Sequence, residues 1–523
     1  MVEQVPAFTG EPLVALAQLT GEPVQLVARR SDGALGIAGP GWSGDRHGEL
    51  AVVARLPGLY PEWLGDQEFT RTHGARFPYV AGEMAHGISG TALVSEMAHA
   101  EMLAFLGSAG LSPERLERVL GQLADRLGAR RNWGANLIHQ PESPALEDET
   151  AAVLLRARVP RISVSAYMTL TSAVVRCAAT GLRRDPGGRI RRGAAVFAKV
   201  SRPEVAEQFM SPAPAELLRL LVGRGQLTAD EARLAERVPV AEDVTVEADS
   251  GGHTDGRPLG VVLPEVLALR DELAARLRLE RPVRVGAAGG LGDPASVAAA
   301  FALGAAYVVT GTVNQMSVEA AISDRAKALL AEARVTDVGM APSSDMFEIG
   351  AKVQVLRRGT LFAARAGRLQ RLYERYASLE ALPDATTTAL EREVLGSPVA
   401  EVWEATRAYW SVRDPAVIAR AEADPRHRMA LVFRWYLGSS SVWAIDGRPD
   451  RVADYQVWCG PAAGAFNRWT AGSFLADPSA RTVTQIARNL MQGAAVLTRA
   501  HQLRTFGVRL PREAFAFRPR PLV

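Results

Sequence analysis

The sequence predicts an α/β protein built on a (β/α)8 TIM barrel, with a small β-rich N-terminal domain and a helical addition after the last barrel strand. Between residues 77 and 312, short apolar runs alternate with longer helical patterns, and the apolar runs number eight. Eight parallel strands, each followed by a helix, close such a barrel. Two of the runs, 196–200 and 283–285, are almost continuously apolar, as expected of strands buried on both faces.

Length and composition set the class of protein. A chain of 523 residues is too long to fold around one hydrophobic core of ordinary size, so two or more domains are predicted. Its 48% hydrophobic and 22% charged residues are typical of a soluble globular protein. The net charge of +3 gives no reason to expect nucleic-acid binding. The longest apolar run, 295–310, contains Gly304 and divides into helix and strand, so no membrane span is expected.

Cysteine and histidine usage indicates the compartment and argues against a metal site. Cys177 and Cys459 are far apart, which excludes a disulfide scaffold or a cysteine-ligated metal and predicts a reducing cytoplasm. The N-terminus shows no signal-peptide pattern. Six further histidines show no ligand spacing with one another or with carboxylates, so no metal is expected. They are His47, His73, His99, His139, His427 and His501.

The elements divide the chain into three predicted domains. Residues 1–75 alternate short apolar runs with Gly, Pro and Asp turns and predict a small β-rich domain. Residues 76–314 are the predicted barrel, and residues 315–523 are a mainly helical region expected to pack on it. The barrel strands are predicted at 79–82, 103–106, 134–138, 162–165, 194–200, 244–248, 283–287 and 306–310.

Beyond residue 314 the hydrophobic pattern is mostly helical. Segments 364–381 and 483–503 predict amphipathic helices. The tryptophan-rich segment 429–474 predicts a packed core or an interface that could hold a homodimer. In 343–352 we interpret the pattern as a helix start with a Glu–Lys pair four residues apart, although these residues could also edge an active site. The basic segment 183–193 is interpreted as a solvated loop, with an acidic partner docking there as the alternative.

Small residues follow the last two predicted strands and indicate an anion site. Gly289 and Gly290 follow the seventh strand, and Gly311 and Thr312 follow the eighth. Backbone N–H groups without obstructing side chains can converge there on a phosphate, a common arrangement in TIM barrels. The alternative is that these glycines only make tight turns. A further strand ends in Gly-Gly-His at 251–253, so a phosphate beside a histidine suggests a cofactor enzyme.

Several longer strings are similar to one known family. They include YPEWLGD, RFPYVAGEMAHGIS, WGANLIHQPESPALE, FAKVSRPEVAEQFMSPAP, ADSGGHTDGRP, GAAGGLG, MFEIGAKVQVLRRGTLF and FRWYLGSSSVWA. These strings resemble the PfaD family, the trans-acting enoyl reductases of polyketide and polyunsaturated fatty acid synthases, and the resemblance runs from about residue 50 to 510. The barrel alone is similar to the wider flavin group that contains nitronate monooxygenase and the FabK-type enoyl reductase.

The resemblance implies an FMN-dependent reductase that takes hydride from NADPH. Its substrate would be the α,β double bond of an enoyl thioester carried on an acyl carrier protein, and the helical region would close over the active site. The glycines and Thr312 named above would then hold the FMN phosphate. Glu83 and His86 depart from the family pattern, in which a small residue and an asparagine are usual.

His253 is the candidate catalytic residue. Gly251 and Gly252 would let the backbone pass close to the cofactor and leave the imidazole directed into the pocket. A histidine there could protonate the α-carbon or stabilise the enolate oxygen of the thioester. The alternatives are a histidine that holds the turn by bonding a loop carbonyl, and a water molecule as the proton source.

Three further residues are expected to bind the flavin. Lys199 would face its anionic edge, with an ion pair to Glu247 as the structural alternative. Asn136 would meet the pyrimidine edge or else cap a loop, and Met84 would lie against the ring or else belong to the core.

Two competing functions are open at this point. A nitronate monooxygenase would share the barrel and the Gly-Gly-His but would not need the large helical addition. A non-catalytic flavin-binding docking subunit of a synthase is the second alternative, and the intact site residues argue against it.

Overall fold

In a computed structural model, described for residues 5–45, 47–252 and 254–522, eight parallel strands close into a barrel. The strands of these residues are β1 (Val24–Arg29), β2 (Leu35–Ala38), β3 (Leu50–Leu56), β4 (Tyr79–Ala81), β5 (Leu103–Leu106), β6 (Trp133–Ile138), β7 (Arg161–Ser165), β8 (Arg183–Arg184), β9 (Ile190–Arg191), β10 (Ala195–Val200), β11 (Asp243–Glu247), β12 (Arg284–Ala288), β13 (Val308–Thr310), β14 (Val338–Pro342) and β15 (Lys352–Leu356). Around the barrel the order is β10-β11-β12-β13-β4-β5-β6-β7, and β7 pairs again with β10.

The α-helices of the described residues alternate with the barrel strands and then dominate the later part of the chain. They are α1 (Gly10–Gln18), α2 (Gln67–His73), α3 (Thr91–His99), α4 (Pro113–Leu127), α5 (Pro144–Arg156), α6 (Ser172–Ala179), α7 (Pro203–Met210), α8 (Ala215–Gly223), α9 (Ala229–Ala235), α10 (Leu259–Leu277), α11 (Pro294–Ala302), α12 (Thr312–Gln315), α13 (Asp324–Ala331), α14 (Phe362–Arg375), α15 (Asp384–Leu390), α16 (Val399–Arg413), α17 (Pro415–Ala423), α18 (Pro425–Asp446), α19 (Ala462–Thr470) and α20 (Val483–Thr505).

The predicted fold class is confirmed. Each of the eight predicted barrel strands begins and ends within two residues of an observed one. These strands were recognisable because their residues are buried on both faces, and β5, β11 and β12 are buried along their whole length.

The barrel closes where its last strand meets its first. β13 pairs with β4 in register Val309↔Val80. The Tyr79 hydroxyl lies 2.5 Å from Oγ1 of Thr310 and donates to Oδ1 of Asn314 at 3.2 Å. Burial raises the pKa of Tyr79 to about 12, so the phenol keeps its proton and the bond across the seam persists at neutral pH.

Aromatic rings and a buried charged cluster fill the amino edge of the barrel. Phe69 stacks on Tyr307 with ring centroids 4.3 Å apart. His73 Nε2 lies 2.9 Å from Oδ2 of Asp243, and both side chains are fully buried. Arg284 Nε donates to Oδ1 of Asp243 at 2.7 Å, and Arg161 Nε donates to Nδ1 of His73 at 3.2 Å. Because strand starts in TIM barrels serve stability, this network is structural.

The contacts divide the chain into two compact units. The first comprises 1–249, 255–320 and 468–523 and holds the barrel, the antiparallel sheet β2-β1-β3 and α20. In this unit, residues of α1 and of the sheet share one hydrophobic core with Leu503, Val508 and Ala514 near the end of the chain. No helix was predicted where α1 lies. The domain boundaries inferred from sequence stay a prediction.

The second unit comprises 250–254 and 321–467. Its core includes buried residues of α14, α16 and α18, among them Phe362, Val402 and Phe433. The helix predicted at 364–381 is observed as α14, but it ends at Arg375 and Tyr376 is already extended. The helix start predicted in 343–352 is wrong, because Lys352 instead begins β15 of the hairpin β14–β15. Glu348 pairs with Arg434 (Nη1 to Oε1, 3.2 Å).

The structure agrees with two further predictions for individual segments. Residues 483–505 form the long helix α20. The basic segment 183–193 forms a small exposed hairpin, β8–β9, as a solvated connection should. Among the residues that the structure describes, no helix is both long and apolar enough to cross a membrane.

Candidate active site

The carboxyl edge of the barrel brings three neighbouring strand ends together. β11, β12 and β13 are adjacent and end at Glu247, Ala288 and Thr310. Gly289 follows β12 with φ +90°, and a Cβ there would come within 2.8 Å of the Ala248 carbonyl carbon. Only glycine fits this position, because the backbone beyond β11 passes directly against it.

The next two glycines border open space. Gly290 has φ +70°, and a Cβ built on it meets no atom within 4 Å. Gly311 has an ordinary φ of −117°, and a Cβ there also meets no atom within 4 Å. Thr312 follows Gly311 as the first residue of α12. The open space beside these strand ends fits the small-residue cradle that a phosphate requires, and their role in holding one stays a prediction.

A buried ionic cluster lies at the ends of β4, β10 and β11. Lys199 Nζ is 3.2 Å from Oε1 of Glu247 and 3.5 Å from Oε1 of Glu83. Burial alone would lower the pKa of Lys199, but the charges of Glu247 and Glu83 outweigh it and raise that pKa. Lys199 is therefore an ammonium. The ion pair with Glu247 was anticipated as the structural alternative, whereas Glu83 as a second partner was not.

Asn136 joins this cluster from β6. Its Nδ2 donates to the Ser163 carbonyl at 3.1 Å and to Oγ of Ser165 at 3.0 Å, and it lies 3.4 Å from Oε1 of Glu83. Ser163 Oγ donates to the same Glu83 oxygen at 3.0 Å. Asn136 is thus part of a strand and of a polar layer inside the barrel, so the alternative of an ordinary loop cap is wrong. Its contact with a flavin stays a prediction.

Met84 and His86 lie in the loop that follows β4. The Met84 N–H donates to Oγ of Ser89 at 2.8 Å, and a Cβ on Gly107 would lie only 1.7 Å from the Met84 oxygen. Gly107 at the end of β5 therefore lets this loop lie flat on the barrel edge. His86 has φ +56°, and burial lowers the pKa of its imidazole, as does nearby Arg115.

Gly251 and Gly252 pack within the second unit. His253 itself lies outside the described residues, so its placement is not described. A Cβ on Gly251 would come within 3.0 Å of the Cys459 nitrogen and 3.2 Å of its Cα, which leaves no room for a side chain. The Gly252 N–H donates to Oγ of Ser250 at 3.2 Å. The backbone on one side of His253 is therefore held tightly.

The other side of His253 is held by an ion pair. Asp255 receives hydrogen bonds from Nε and Nη2 of Arg202, each 2.7 Å long, and from Oγ of Ser201 at 2.8 Å. These hydrogen bonds lower the pKa of Asp255 and keep it ionised. The loop beyond β11 is thereby tied to the end of β10.

His139 and Glu147 form a pair near the carboxyl edge that the sequence did not reveal. His139 follows β6, and its Nδ1 lies 2.9 Å from Oε2 of Glu147 on α5, a buried carboxylate. The histidine spacing in the sequence did not reveal this pair, nor the buried pair of His73 with Asp243. No sequence spacing reveals such pairs, because the partner arrives from a different element.

Comparison with known proteins identifies the relatives of this chain. Residues 376–455 match the family described as the inserted helical domain of acyl-carrier-protein S-malonyltransferase. The chain is 40% identical over 440 residues to the polyketide biosynthesis protein PksE of Bacillus subtilis, which covers 84% of this chain and 57% of PksE. It is 42% identical over 453 residues to one component of the polyunsaturated fatty acid synthase of a Thraustochytrium species, over 84% of this chain and 30% of that component. The chain thus spans well under two thirds of these relatives.

A solved structure matches over nearly its full length. The crystal structure of the enoyl reductase domain of MlnA, from the macrolactin biosynthesis cluster of Bacillus amyloliquefaciens, superposes with a TM-score of 0.81 at 34% identity. The match covers 85% of this chain and 99% of that domain. With relatives of this identity among polyketide and polyunsaturated fatty acid synthase proteins, the chain belongs to the PfaD family.

Proposed function

We propose that this protein is a trans-acting enoyl reductase of a polyketide or polyunsaturated fatty acid synthase. It would reduce the α,β double bond of enoyl thioesters on an acyl carrier protein, with hydride passing from NADPH through FMN. The observation that carries this proposal is the likeness to the MlnA enoyl reductase domain over 99% of that domain. Residues 376–455 add support, since their match is to an insert of an enzyme named for the acyl carrier protein.

The carboxyl edge of the barrel suits FMN. The phosphate would lie in the open space bordered by Gly290 and Gly311, near Gly289 and Thr312, since an added Cβ on either glycine meets no atom of the described residues within 4 Å. The chemistry supplied by bound FMN is the transfer of hydride from NADPH to the β-carbon of the substrate. Lys199 would face the anionic edge of the cofactor in addition to its two carboxylate partners, with its ammonium fixed at the end of β10.

The other proposed contacts are made by Asn136, Met84 and the Gly-Gly-His segment. Asn136 would orient the pyrimidine edge, and Met84 would give the ring an apolar contact. Gly251 and Gly252 would let the backbone pass close to the cofactor, and His253 would donate a hydrogen bond to the thioester oxygen as enolate charge develops there.

A half-reaction experiment tests this function. The purified protein is loaded with FMN, reduced anaerobically with NADPH and then mixed with crotonyl thioester on a carrier protein, while flavin absorbance is followed. We expect NADPH to bleach the flavin and the crotonyl carrier protein to restore its colour, with butyryl thioester as the product. Crotonyl-pantetheine serves as the matched substrate without a carrier protein, and it should react more slowly.

The other outcomes identify the competing functions. Reoxidation by an alkyl nitronate and oxygen, with no reaction of either thioester, would contradict the proposal in favour of a nitronate monooxygenase. Flavin that binds but is never reduced by NADPH, in a protein that still supports product formation by the synthase, would indicate a non-catalytic docking subunit. Failure to bind FMN would overturn the phosphate-site assignment.

A further inference from the structure

We propose that His139, oriented by Glu147, is a second catalytic imidazole at the mouth of the barrel and delivers the proton to the α-carbon of the substrate. The inference rests on the proposed enoyl reduction and assigns its proton donor. It separates two tasks: His253 would serve the thioester oxygen, and His139 would serve the carbon.

The position of His139 places it next to the polar layer of the barrel. His139 is the first residue after β6, and its N–H donates to the Ser165 carbonyl of β7 at 3.1 Å. Oγ of the same Ser165 accepts from Asn136 Nδ2 at 3.0 Å. His139 therefore lies three residues beyond Asn136, at the carboxyl edge of the barrel, where TIM-barrel enzymes bind their substrates. Its side chain is 23% exposed, so the ring is not sealed from solvent.

Glu147 fixes which nitrogen of the ring is available. Its carboxylate accepts from the Gln140 N–H at 2.9 Å and from Oγ1 of Thr171 at 2.6 Å, in addition to Nδ1 of His139. Burial opposes ionisation of Glu147, but these hydrogen bonds, first that from His139, lower its pKa below the usual value. An ionised carboxylate only accepts, so Nδ1 of His139 carries a proton. Nε2 remains as the nitrogen that can exchange a proton with a ligand.

A third group restrains the ring from its face. The His139 and Tyr167 rings lie 4.8 Å apart at 33°. Burial and the charge of Glu147 raise the pKa of Tyr167 well above its usual value, so the phenol stays neutral. The imidazole is thus held by one hydrogen bond and one ring contact, as a positioned acid or base requires.

In the proposed step, one hydride and one proton add across the double bond of the substrate. Hydride, with its two electrons, forms the new C–H bond at the β-carbon, and the π pair of the double bond moves to the α-carbon and the thioester oxygen as an enolate. The proton on Nε2 of the His139 imidazolium then forms the C–H bond at the α-carbon. This leaves neutral His139 with Nδ1–H still bonded to Glu147, and solvent returns the proton to Nε2.

The competing interpretation is that Glu147 only fastens two loops. Glu147 links the loop after β6 with the start of α6 through Thr171. In that case His139 would be one of several residues whose hydrogen bonds to Glu147 stabilise these loops. The two interpretations differ in what a substitution changes. Substitution of a structural residue would change stability and the position of the loop. Substitution of a proton donor would slow only the half-reaction in which the substrate is protonated.

His139→Asn separates them, because asparagine can still donate to Glu147 but cannot protonate carbon. With the FMN-loaded protein, we expect reduction by NADPH to stay within about twofold of the parent. We expect reoxidation by crotonyl carrier protein to slow by about 100-fold or more, as loss of a general acid does. His99→Gln, an exposed histidine at the end of α3, is the matched control and should change neither rate.

Two further variants keep the test decisive. In His139→Ala, added imidazole should restore part of the reoxidation rate, which a residue with only a structural role would not show. Thr171→Val removes another bond to Glu147 but keeps the imidazole, so it should slow reoxidation far less than His139→Asn. Equal slowing by these two variants, or a parental reoxidation rate in His139→Asn, would overturn the inference. If the parent protein itself is not reoxidised by any enoyl thioester, the proposed function fails instead.

Discussion

Lys199 Nζ lies 3.2 Å from Oε1 of Glu247, on the neighbouring strand of the barrel, and 3.5 Å from Oε1 of Glu83. The three side chains are between 7% and 14% exposed. One cation therefore offsets two largely buried anions, and loss of the cation would leave the charge of both carboxylates without this compensation.

Lys199→Met should lower the free energy of unfolding by about 3–5 kcal/mol, because it removes the cation that compensates the buried carboxylates of Glu247 and Glu83. The double variant Lys199→Met, Glu247→Gln removes one of those charges and should regain part of the loss. Urea unfolding of the three proteins measures both effects. If Lys199 also faces the flavin, the double variant should bind FMN more weakly than the parent despite its recovered stability. A single variant as stable as the parent would show that the cluster is not coupled.

The cluster at the amino edge predicts the response to acid. The pKa of Asp243 is lowered to about 2, because Arg284 and His73 outweigh the effect of burial. A depressed carboxyl pKa gives stability that is present above the unfolded value near 4 and is lost as the pH falls toward 2. Burial lowers the pKa of His73 as well, so its protonation below about pH 6.5 in the unfolded chain adds to the loss.

Asp243→Asn should therefore destabilise the protein by about 3–5 kcal/mol at pH 7 and flatten the acid dependence of stability between pH 4 and 2. Urea unfolding at pH 7, 4 and 3 is the measurement. Asp255→Asn, which alters a partly exposed ion pair, is a suitable control and should cost much less at pH 7. A parallel pH dependence in Asp243→Asn and the parent would contradict the assignment.

The two glycine-bearing strand ends should respond differently to alanine. Gly289→Ala combines a positive φ with a Cβ 2.8 Å from the Ala248 backbone, so we expect a loss of stability of about 1–3 kcal/mol together with weaker FMN binding. Gly311→Ala has an ordinary φ and open space, so the fold should be unchanged. Weaker FMN binding in a normally stable Gly311→Ala would locate the phosphate. Thermal unfolding and equilibrium dialysis separate the two effects, and unchanged FMN affinity in both variants would contradict the phosphate site.

Gly251→Ala should lower turnover, because the added methyl meets the Cys459 backbone and must displace the segment that carries His253. The matched control is Gly260→Ala in the first turn of α10, where a Cβ meets no atom within 4 Å. That change should leave turnover intact and raise stability by up to about 1 kcal/mol. NADPH oxidation with crotonyl carrier protein compares them, and equal turnover in both variants would show that the segment tolerates displacement.

Much of the barrel could be predicted because its strands are short, largely buried runs rich in apolar residues, separated by longer helical patterns. The hairpin β14–β15 could not, since β14 contains Gly339 and ends in Pro342, residues that weaken any strand signal. The candidate site was only partly predictable for a different reason. Glycines at strand ends are visible in a sequence, but Glu83 and Lys199 are 116 positions apart and meet only when the barrel closes.

The N-terminal sheet has a consequence for how the chain is made. Leu26 and Ile37 share their hydrophobic core with Leu503, Val508 and Ala514, which are synthesised more than 450 residues later. At ribosomal rates of about 5–20 residues per second, the sheet would wait roughly 20–90 s for the residues that cover it. A hairpin forms in microseconds, so protein synthesis and not chain diffusion sets the time at which this core is completed. During that interval the nascent sheet exposes apolar surface, and it should be a substrate for ribosome-associated chaperones.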